Sequence, residues 1–359
     1  MSIASPAGAR GRPPAKVMVV DDSAVVRGLI ARHISDAPQF EVVATAANGE
    51  IALRELGRRE IDLVVLDVEM PVMDGITALH EMLARQPDLR VVMVSTLTRR
   101  NAEISLRALQ LGASDYVSKP EGGLAGAEEF RRELLAKLES LAPTERAPTT
   151  TMPAFRPSAP AWTAARAAPQ VLAIGASTGG PPALLQLFEA LRGAVRQPIL
   201  LTQHMPATFT ALLAEQLGRA GERPCQEAQD GTPIEAGRCY VAPGGWHMIV
   251  AREGAVPVIR LNQDPPENFC RPAVDPMLRT AAEVYGAGVL AVILTGMGAD
   301  GAAGCQTVAR AGGRFIVQDE ATSVVWGMPG AAAATGLAEE VLPLPDIGPW
   351  LRRASESGR

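Results

Sequence analysis

Short runs of Val, Leu and Ile, each about the length of one buried β-strand, recur along the chain with helical stretches between them, and they leave it little choice of fold. Before residue 140 they are Val17 to Val20, Val42 to Ala44, Leu63 to Leu66, Val91 to Val94 and Tyr116 to Val117; after residue 169 they are Val171 to Ile174, Ile199 to Leu201, Cys239 to Val241, Val289 to Leu294 and Phe315 to Val317. These runs are too apolar to offer a face to water, and strands buried on both faces belong in a parallel sheet covered by helices. The last helical stretch of the first half places Phe130, Leu134, Leu135, Leu138 and Leu141 on one stripe that can dock on such a sheet. A helix in the second half opens with Pro181 and Pro182, which suit a first turn. The predicted class is α/β, with two doubly wound domains.

The break between the domains is compositional. From Ser140 to Pro169 there are prolines among Thr, Ala and Arg and no apolar period, which predicts a Pro-rich linker over 140–168 between domains at 17–139 and 169–355. About 30 residues reach roughly 90 Å if polyproline-like and about 30 Å as a coil, so the linker tethers without fixing a pose. Residues 1–16, basic and rich in Gly, Pro and Ala, are expected to be a disordered lead-in. With 47% apolar and 20% charged residues, 359 residues suffice for two cores. The net charge of −5 disfavours nucleic acid as a partner. No apolar run reaches membrane-spanning length and no secretory signal opens the chain, which predicts a cytoplasmic protein without direct membrane insertion. The four cysteines, Cys225, Cys239, Cys270 and Cys305, show no C-x-x-C spacing and are expected to be buried thiols.

Ligand sites in doubly wound sheets lie beyond the carboxyl ends of the strands. In the first domain Asp21 and Asp22 follow the first strand, Asp67 ends the third, Ser95 ends the fourth and Lys119 follows the fifth. Carboxylates gathered at one edge repel one another and favour a hard divalent cation such as Mg²⁺. Asp67 can then accept a phosphoryl group, whose oxygens the Ser95 hydroxyl and the Lys119 ammonium can meet. Taken one at a time, each acid reads better as a helix cap or loop residue; taken together and in order, the set resembles a response-regulator receiver domain, a flavodoxin-like fold. That resemblance implies phosphorylation of Asp67 by a histidine kinase of the CheA type. It also implies Mg²⁺ held by Asp22, Asp67 and the Glu69 carbonyl with help from Asp21, and Tyr116 as the switch aromatic.

In the second domain Gly175-Ala176-Ser177-Thr178-Gly179-Gly180 lies between a buried strand and a helix, where small residues raise a serine above the sheet edge. A serine needs a base. Of the four histidines, His33 and His80 belong to first-domain helices, and His204 follows the strand at Ile199, at the same edge as Ser177. Asp300 closes the Gly-rich stretch after the strand at Val289 and reaches that edge too. The set predicts a nucleophile, a base and an orienting acid, with the Met297 N–H as candidate oxyanion donor. A rival reading takes Gly175 to Gly179 as a G-x-S-x-G elbow and selects Asp230 and His247. Asp230-Gly231 reads as a turn, however, and His247 as a structural histidine near a hairpin. A dinucleotide site is disfavoured because Gly175, Gly179 and Gly180 miss the G-x-G-x-x-G spacing.

The runs IGASTGG, TQHMP, YVAPGGWHM, RPAVD, ILTGMGADG and QDEATSVVWGMP resemble the catalytic domain of the chemotaxis protein-glutamate methylesterase family. The resemblance implies hydrolysis of glutamyl methyl esters and deamidation of glutamines on methyl-accepting chemoreceptors, with no cofactor at the hydrolase site. It places Ser177, His204 and Asp300 on the triad and Thr178 as a helper beside the nucleophile. A receiver in front implies control by phosphorylation, the tether keeping it at high effective concentration beside the hydrolase. The nonenzymatic alternative is a phosphorylation-controlled binding module that keeps a hydrolase-like sheet, and an ester-hydrolysis assay separates the two.

Overall fold

The computed structural model describes residues 13–119, 123–143 and 168–356, so the lead-in up to residue 12 and most of the Pro-rich segment, 144–167, lie outside the described residues. The chain divides into two compact units. The first sheet carries β1 (Ala15–Val20), β2 (Phe40–Ala46), β3 (Leu63–Asp67), β4 (Arg90–Ser95) and β5 (Asp115–Ser118), in the order β2-β1-β3-β4-β5. Between and after them run α1 (Ala24–Ser35), α2 (Gly49–Leu56), α3 (Gly75–Arg85), α4 (Arg99–Gln110) and α5 (Gly123–Leu141). Regular structure thus starts two residues before, and ends two residues beyond, the 17–139 span read from composition.

Every residue of β3 is buried, as expected of a central strand. The outer strand β2 departs from the fully apolar expectation: Glu41 and Thr45 are exposed, because an edge strand has a side left to solvent. Ser23, Asn48, Asp74 and Thr98 cap α1, α2, α3 and α4 with side-chain oxygens that accept from amides of the first turn. Phe130, Leu134, Leu138 and Leu141 of α5 are at most 4% exposed, whereas Leu135, the fifth residue of the predicted stripe, is only half-buried. Each such side chain contributes roughly 1.5–3 kcal/mol by leaving water.

The second unit holds β6 (Val171–Ala176), α6 (Gly180–Leu191), β7 (Ile199–Gln203), α7 (Ala207–Gly221), β8 (Cys225–Glu227) and β9 (Cys239–Val241). The hairpin of β10 (His247–Glu253) and β11 (Val256–Asn262) follows, then α8 (Val274–Tyr285), β12 (Val289–Ile293), α9 (Ala302–Arg310) and β13 (Arg314–Gln318). The chain closes with α10 (Met328–Ala333), β14 (Glu340–Leu342) and α11 (Leu344–Glu356). Seven strands form one parallel sheet in the order β14-β13-β12-β6-β7-β9-β8. The short edge strands β8 and β14 have no apolar run to announce them, and sequence periodicity missed both.

Both sheets reverse direction beside their first strand. The chain places β2 on one side of β1 and β3 on the other; later it lays β7 on one side of β6 and β12 on the other. At such a switch point the loops leaving neighbouring strands part and open a crevice. The acidic cluster stands above the first crevice and Ser177 above the second.

Candidate active site

Above the first sheet, Asp21, Asp22 and Asp67 each offer a carboxylate oxygen, all within 4.8 Å of one another. Asp21 and Asp67 are buried, Asp22 is exposed, and the Lys119 ammonium lies 2.9 Å from both Asp21 Oδ2 and Asp67 Oδ1. The Asp21 Oδ1 accepts the Ser23 amide at 2.9 Å, which fixes its orientation at the end of β1. Burial pushes the Asp67 carboxyl up to about 6, and the Asp21 charge adds to that rise, while Lys119 and the Val68 amide oppose it. A hard oxygen donor set whose charges are only partly offset by one lysine fits a divalent cation. Ser95 is buried at the end of β4, where its carbonyl accepts the Lys119 amide at 2.7 Å. Tyr116 is buried in β5, and Glu69 is exposed two residues beyond Asp67.

Above the second sheet, parallel pairing sets Ala176 of β6 opposite Gln203 of β7, so Ser177 and His204 leave neighbouring strands at the same level. The His204 amide donates to the Ala176 carbonyl at 3.2 Å. The Ser177 amide donates to the Thr295 carbonyl beyond β12 at 3.0 Å, and its own carbonyl accepts Gly180 N at 2.7 Å and Gln203 Nε2 at 2.9 Å. Gly179 takes the left-handed backbone (φ 75°), and a Cβ there would stand 2.6 Å from Val324. Gly296 lets the loop after β12 cross close by, since a Cβ on it would lie 2.9 Å from the Ser177 Cβ. Ser177 itself is not among the positive-φ residues, so this turn is not the strained elbow of the α/β-hydrolases.

His204 Nε2 and Asp300 Oδ2 are 2.7 Å apart, with the imidazole 11% and the carboxylate 1% exposed. Asp300 also accepts the amides of Val274 (2.6 Å), Asp275 (3.0 Å) and Gly301 (2.9 Å) and the Asn268 side-chain amide (3.1 Å). Val274 and Asp275 open α8, so Asp300 satisfies amides that no residue of the helix can reach. Burial pushes its carboxyl up, but His204 and those amides outweigh the burial and hold it below the ordinary value. Burial likewise works against the imidazolium, yet the hydrogen bonds it donates to Asp300 and Cys270 raise His204 above its usual 6.5. The remaining ring nitrogen, Nδ1, is 3.4 Å from the Cys270 sulfur.

Ser177, His204 and Asp300 therefore share one edge, with the His204–Asp300 bond formed and the other ring nitrogen against the Cys270 sulfur. Met297 is half-buried in the loop between Gly296, whose carbonyl is held by Gly327 and Met328 amides, and Gly298. Thr178 is buried one residue beyond Ser177, and its carbonyl accepts the Thr295 hydroxyl at 2.9 Å. The rival pair serves structure. His247 heads β10, with Nδ1 accepting the Ala273 amide and Nε2 3.2 Å from the Pro265 carbonyl; Asp230 accepts the Leu261 amide and pairs with Arg260.

Sequence reading missed Asn268, Asp275 and Gln203, which touch Ser177, Asp300 or their partners, and expected all four cysteines to be buried. Cys239 and Cys305 are buried, but Cys225 and Cys270 are only half-buried, and all four are free thiols. Cys270 stays near the surface because it closes a turn rather than a strand.

A CheB methylesterase family model matches residues 172–351, and a response regulator receiver domain model matches residues 17–125. The chain belongs to the CheB methylesterase family. A protein-glutamate methylesterase/protein-glutamine glutaminase 1 of Paramagnetospirillum magneticum is 51% identical over 94% of this chain and 95% of its own. A protein-glutamate methylesterase/protein-glutamine glutaminase of Azospirillum brasilense is 48% identical over 97% of this chain and 94% of its own. The Thermotoga maritima CheB methylesterase catalytic domain superposes with a TM-score of 0.50 at 39% identity, covering 52% of this chain and 98% of that one. The chain is a methylesterase/glutaminase carrying a receiver domain, and among the described residues no helix is long and apolar enough to cross a membrane.

Proposed function

We propose that the protein is a phosphorylation-activated serine hydrolase that demethylates glutamyl methyl esters and deamidates glutamines on methyl-accepting chemoreceptors. Ser177 is the nucleophile, His204 the base and Asp300 the orienting acid. The observation that carries this reading is the buried 2.7 Å bond between His204 and Asp300 beside the strand end that bears Ser177.

Because Asp300 occupies Nε2, the proton of the Ser177 hydroxyl goes to Nδ1 of His204 as Oγ bonds to the ester carbon. Cys270 gives up its contact with Nδ1 at that moment. Negative charge moves to the carbonyl oxygen, where the Met297 N–H stabilises it, and Thr178 assists beside the nucleophile. The imidazolium returns its proton to the methoxy group, methanol leaves, and water repeats the sequence in reverse on the acyl-enzyme. With a glutamine the leaving group is ammonia. A raised His204 places the rising limb of activity above the ordinary imidazole range, because a base protonated at low pH accepts nothing.

Asp67 accepts a phosphoryl group from a histidine kinase of the CheA type. Asp21, Asp22, Asp67 and the Glu69 carbonyl would hold Mg²⁺, which offsets their charge and that of the incoming phosphate. Lys119 and Ser95 meet the new phosphate oxygens, and Tyr116 responds to the change at Ser95. The receiver domain takes in β1 to α5 and the methylesterase domain β6 to α11, and the Pro-rich segment between α5 and β6 joins them. Methanol release from methylated receptors, measured with and without a small phosphodonor and Mg²⁺, tests the proposal. Stimulated release supports it, and release that ignores the phosphodonor contradicts the regulatory half.

A further inference from the structure

Between β11 and α8 the chain makes a tight turn at Glu267–Cys270, closed by the Cys270 amide on the Glu267 carbonyl (2.9 Å) and the Glu267 amide on the Cys270 carbonyl (3.2 Å). Its two central residues, Asn268 (φ 50°) and Phe269 (φ 62°), are both left-handed, as a two-residue turn of this kind requires. Asparagine tolerates that backbone better than most residues. A bidentate pair between Arg279 and Glu267, at 2.8 and 3.3 Å, ties the turn to α8.

The turn carries the Asn268 amide between two buried carboxylates. Nδ2 donates to Asp300 Oδ1 and to Asp275 Oδ2, each at 3.1 Å, and the acids are 1% and 5% exposed. The other Asp275 oxygen takes the Gly304 amide at 2.6 Å. Burial and the neighbouring Asp300 charge push the Asp275 carboxyl up, so the two acids compete for charge in one site. An NH₂ group has two protons and can serve one to each acid. The other titratable groups facing this pair of acids are His204 and, through its ring, Cys270, the buried Cys305 thiol of α9, and Arg279 of α8 on the Asp275 side.

We propose that Asn268 is a positioning residue of the hydrolytic site: by bridging Asp275 and Asp300 it keeps Asp300 ionised and aimed at His204 Nε2. This rests on the reading of Ser177, His204 and Asp300 as the triad. Without the bridging donor, the Asp300 charge is less dispersed. The acid then takes up a proton at higher pH and also grips the imidazolium more tightly, and both changes move the acid limb of activity upward.

Two variants separate this role from loss of the turn. Asn268→Gly keeps the left-handed backbone and removes the donor; Asn268→Asp keeps the shape, removes the donor and adds a charge. For ester hydrolysis, Asn268→Gly should lower kcat roughly ten- to hundredfold, as loss of a hydrogen bond to a charged group does. KM should stay within about twofold, since the contact touches no substrate. The acid limb of kcat should move to higher pH, and Asn268→Asp should lose more than Asn268→Gly. In parallel, the His204 ring titration, followed by NMR on histidine-labelled full-length protein carrying Ser177→Ala and assigned with His204→Gln, should rise in both variants. Unchanged kcat, pH profile and His204 titration would overturn the proposal, as would a fall in kcat that tracks lowered thermal stability with an unshifted titration. The titration decides the role of Asn268 whatever the hydrolysis assay returns, so failure of the triad reading is seen separately.

Discussion

Two aspartates, each just above a parallel sheet at its switch point, meet opposite fates. Asp67 in the receiver is pushed up to about 6, while Asp300 in the catalytic domain is held below its ordinary value. Both are buried, so burial alone does not decide the direction. The donors do. Asp300 accepts from five groups, namely His204, Asn268 and the Val274, Asp275 and Gly301 amides, whereas Asp67 shares Lys119 with a second buried carboxylate. One site is finished within the protein and serves to hold a histidine. The other is left short of positive charge, which suits a residue that works with a cation and a phosphoryl donor.

The sharpest way to break this comparison is to exchange one Asp300 oxygen for a donor. Asp300→Asn leaves the shape but presents the wrong partner to Nε2, and kcat for ester hydrolysis should fall about 10⁴-fold, the loss that exchange causes in a Ser-His-Asp serine protease. A loss under tenfold would show that the five-donor cradle is structural only.

At Asp67 the same exchange should help the fold. Asp67→Asn should abolish stimulation by a phosphodonor yet stabilise the receiver's unfolding transition in the full-length protein at pH 7 by about 1–3 kcal/mol, since it removes a carboxylate raised to about 6. The sign follows from the shift: with a folded value above the unfolded one, the folded state binds the extra proton between about pH 4 and pH 6. The wild-type receiver, free of metal, should therefore gain stability as pH falls through that window, and Asp67→Asn should not. Urea unfolding at pH 5 and pH 7 measures both. Mg²⁺ should sharpen the contrast further. At about ten times its Kd it should stabilise the receiver by about 1.4 kcal/mol through binding to the native state, and should leave the catalytic domain's transition in place.

The smallest effect concerns the turn that holds Asn268. Phe269 is left-handed and 95% exposed, so the backbone strains a bulky residue that buries nothing. Phe269→Gly should raise the stability of the catalytic domain by about 1 kcal/mol, read as a shift in its thermal midpoint.

Much of this was legible in the residue order. Fully apolar runs announced the inner strands, and chemistry-bearing residues directly after those runs announced both edges, because parallel strands deliver their carboxyl ends to one rim. Most of what escaped did so for one of two physical reasons. The edge strands β8 and β14 are three residues each and half exposed, so they carry no periodic signal. Asn268, Cys270 and Asp275 reach the site from a turn and a helix start after β11, outside the rule that strand ends carry the chemistry. The RPAVD run pointed near them, but its value here lies in backbone amides at Val274 and Asp275, which no side-chain pattern can reveal.

The central claim is that the Ser177 oxygen, and not the Cys270 sulfur that rests on the same imidazole, attacks the ester. Rapidly quenched turnover of methylated receptor peptide, with the trapped acyl adduct mapped by mass spectrometry, tests it most directly. The adduct should sit on Ser177, and Ser177→Ala should show neither adduct nor methanol; an adduct on Cys270, or methanol release that survives Ser177→Ala, would contradict the account.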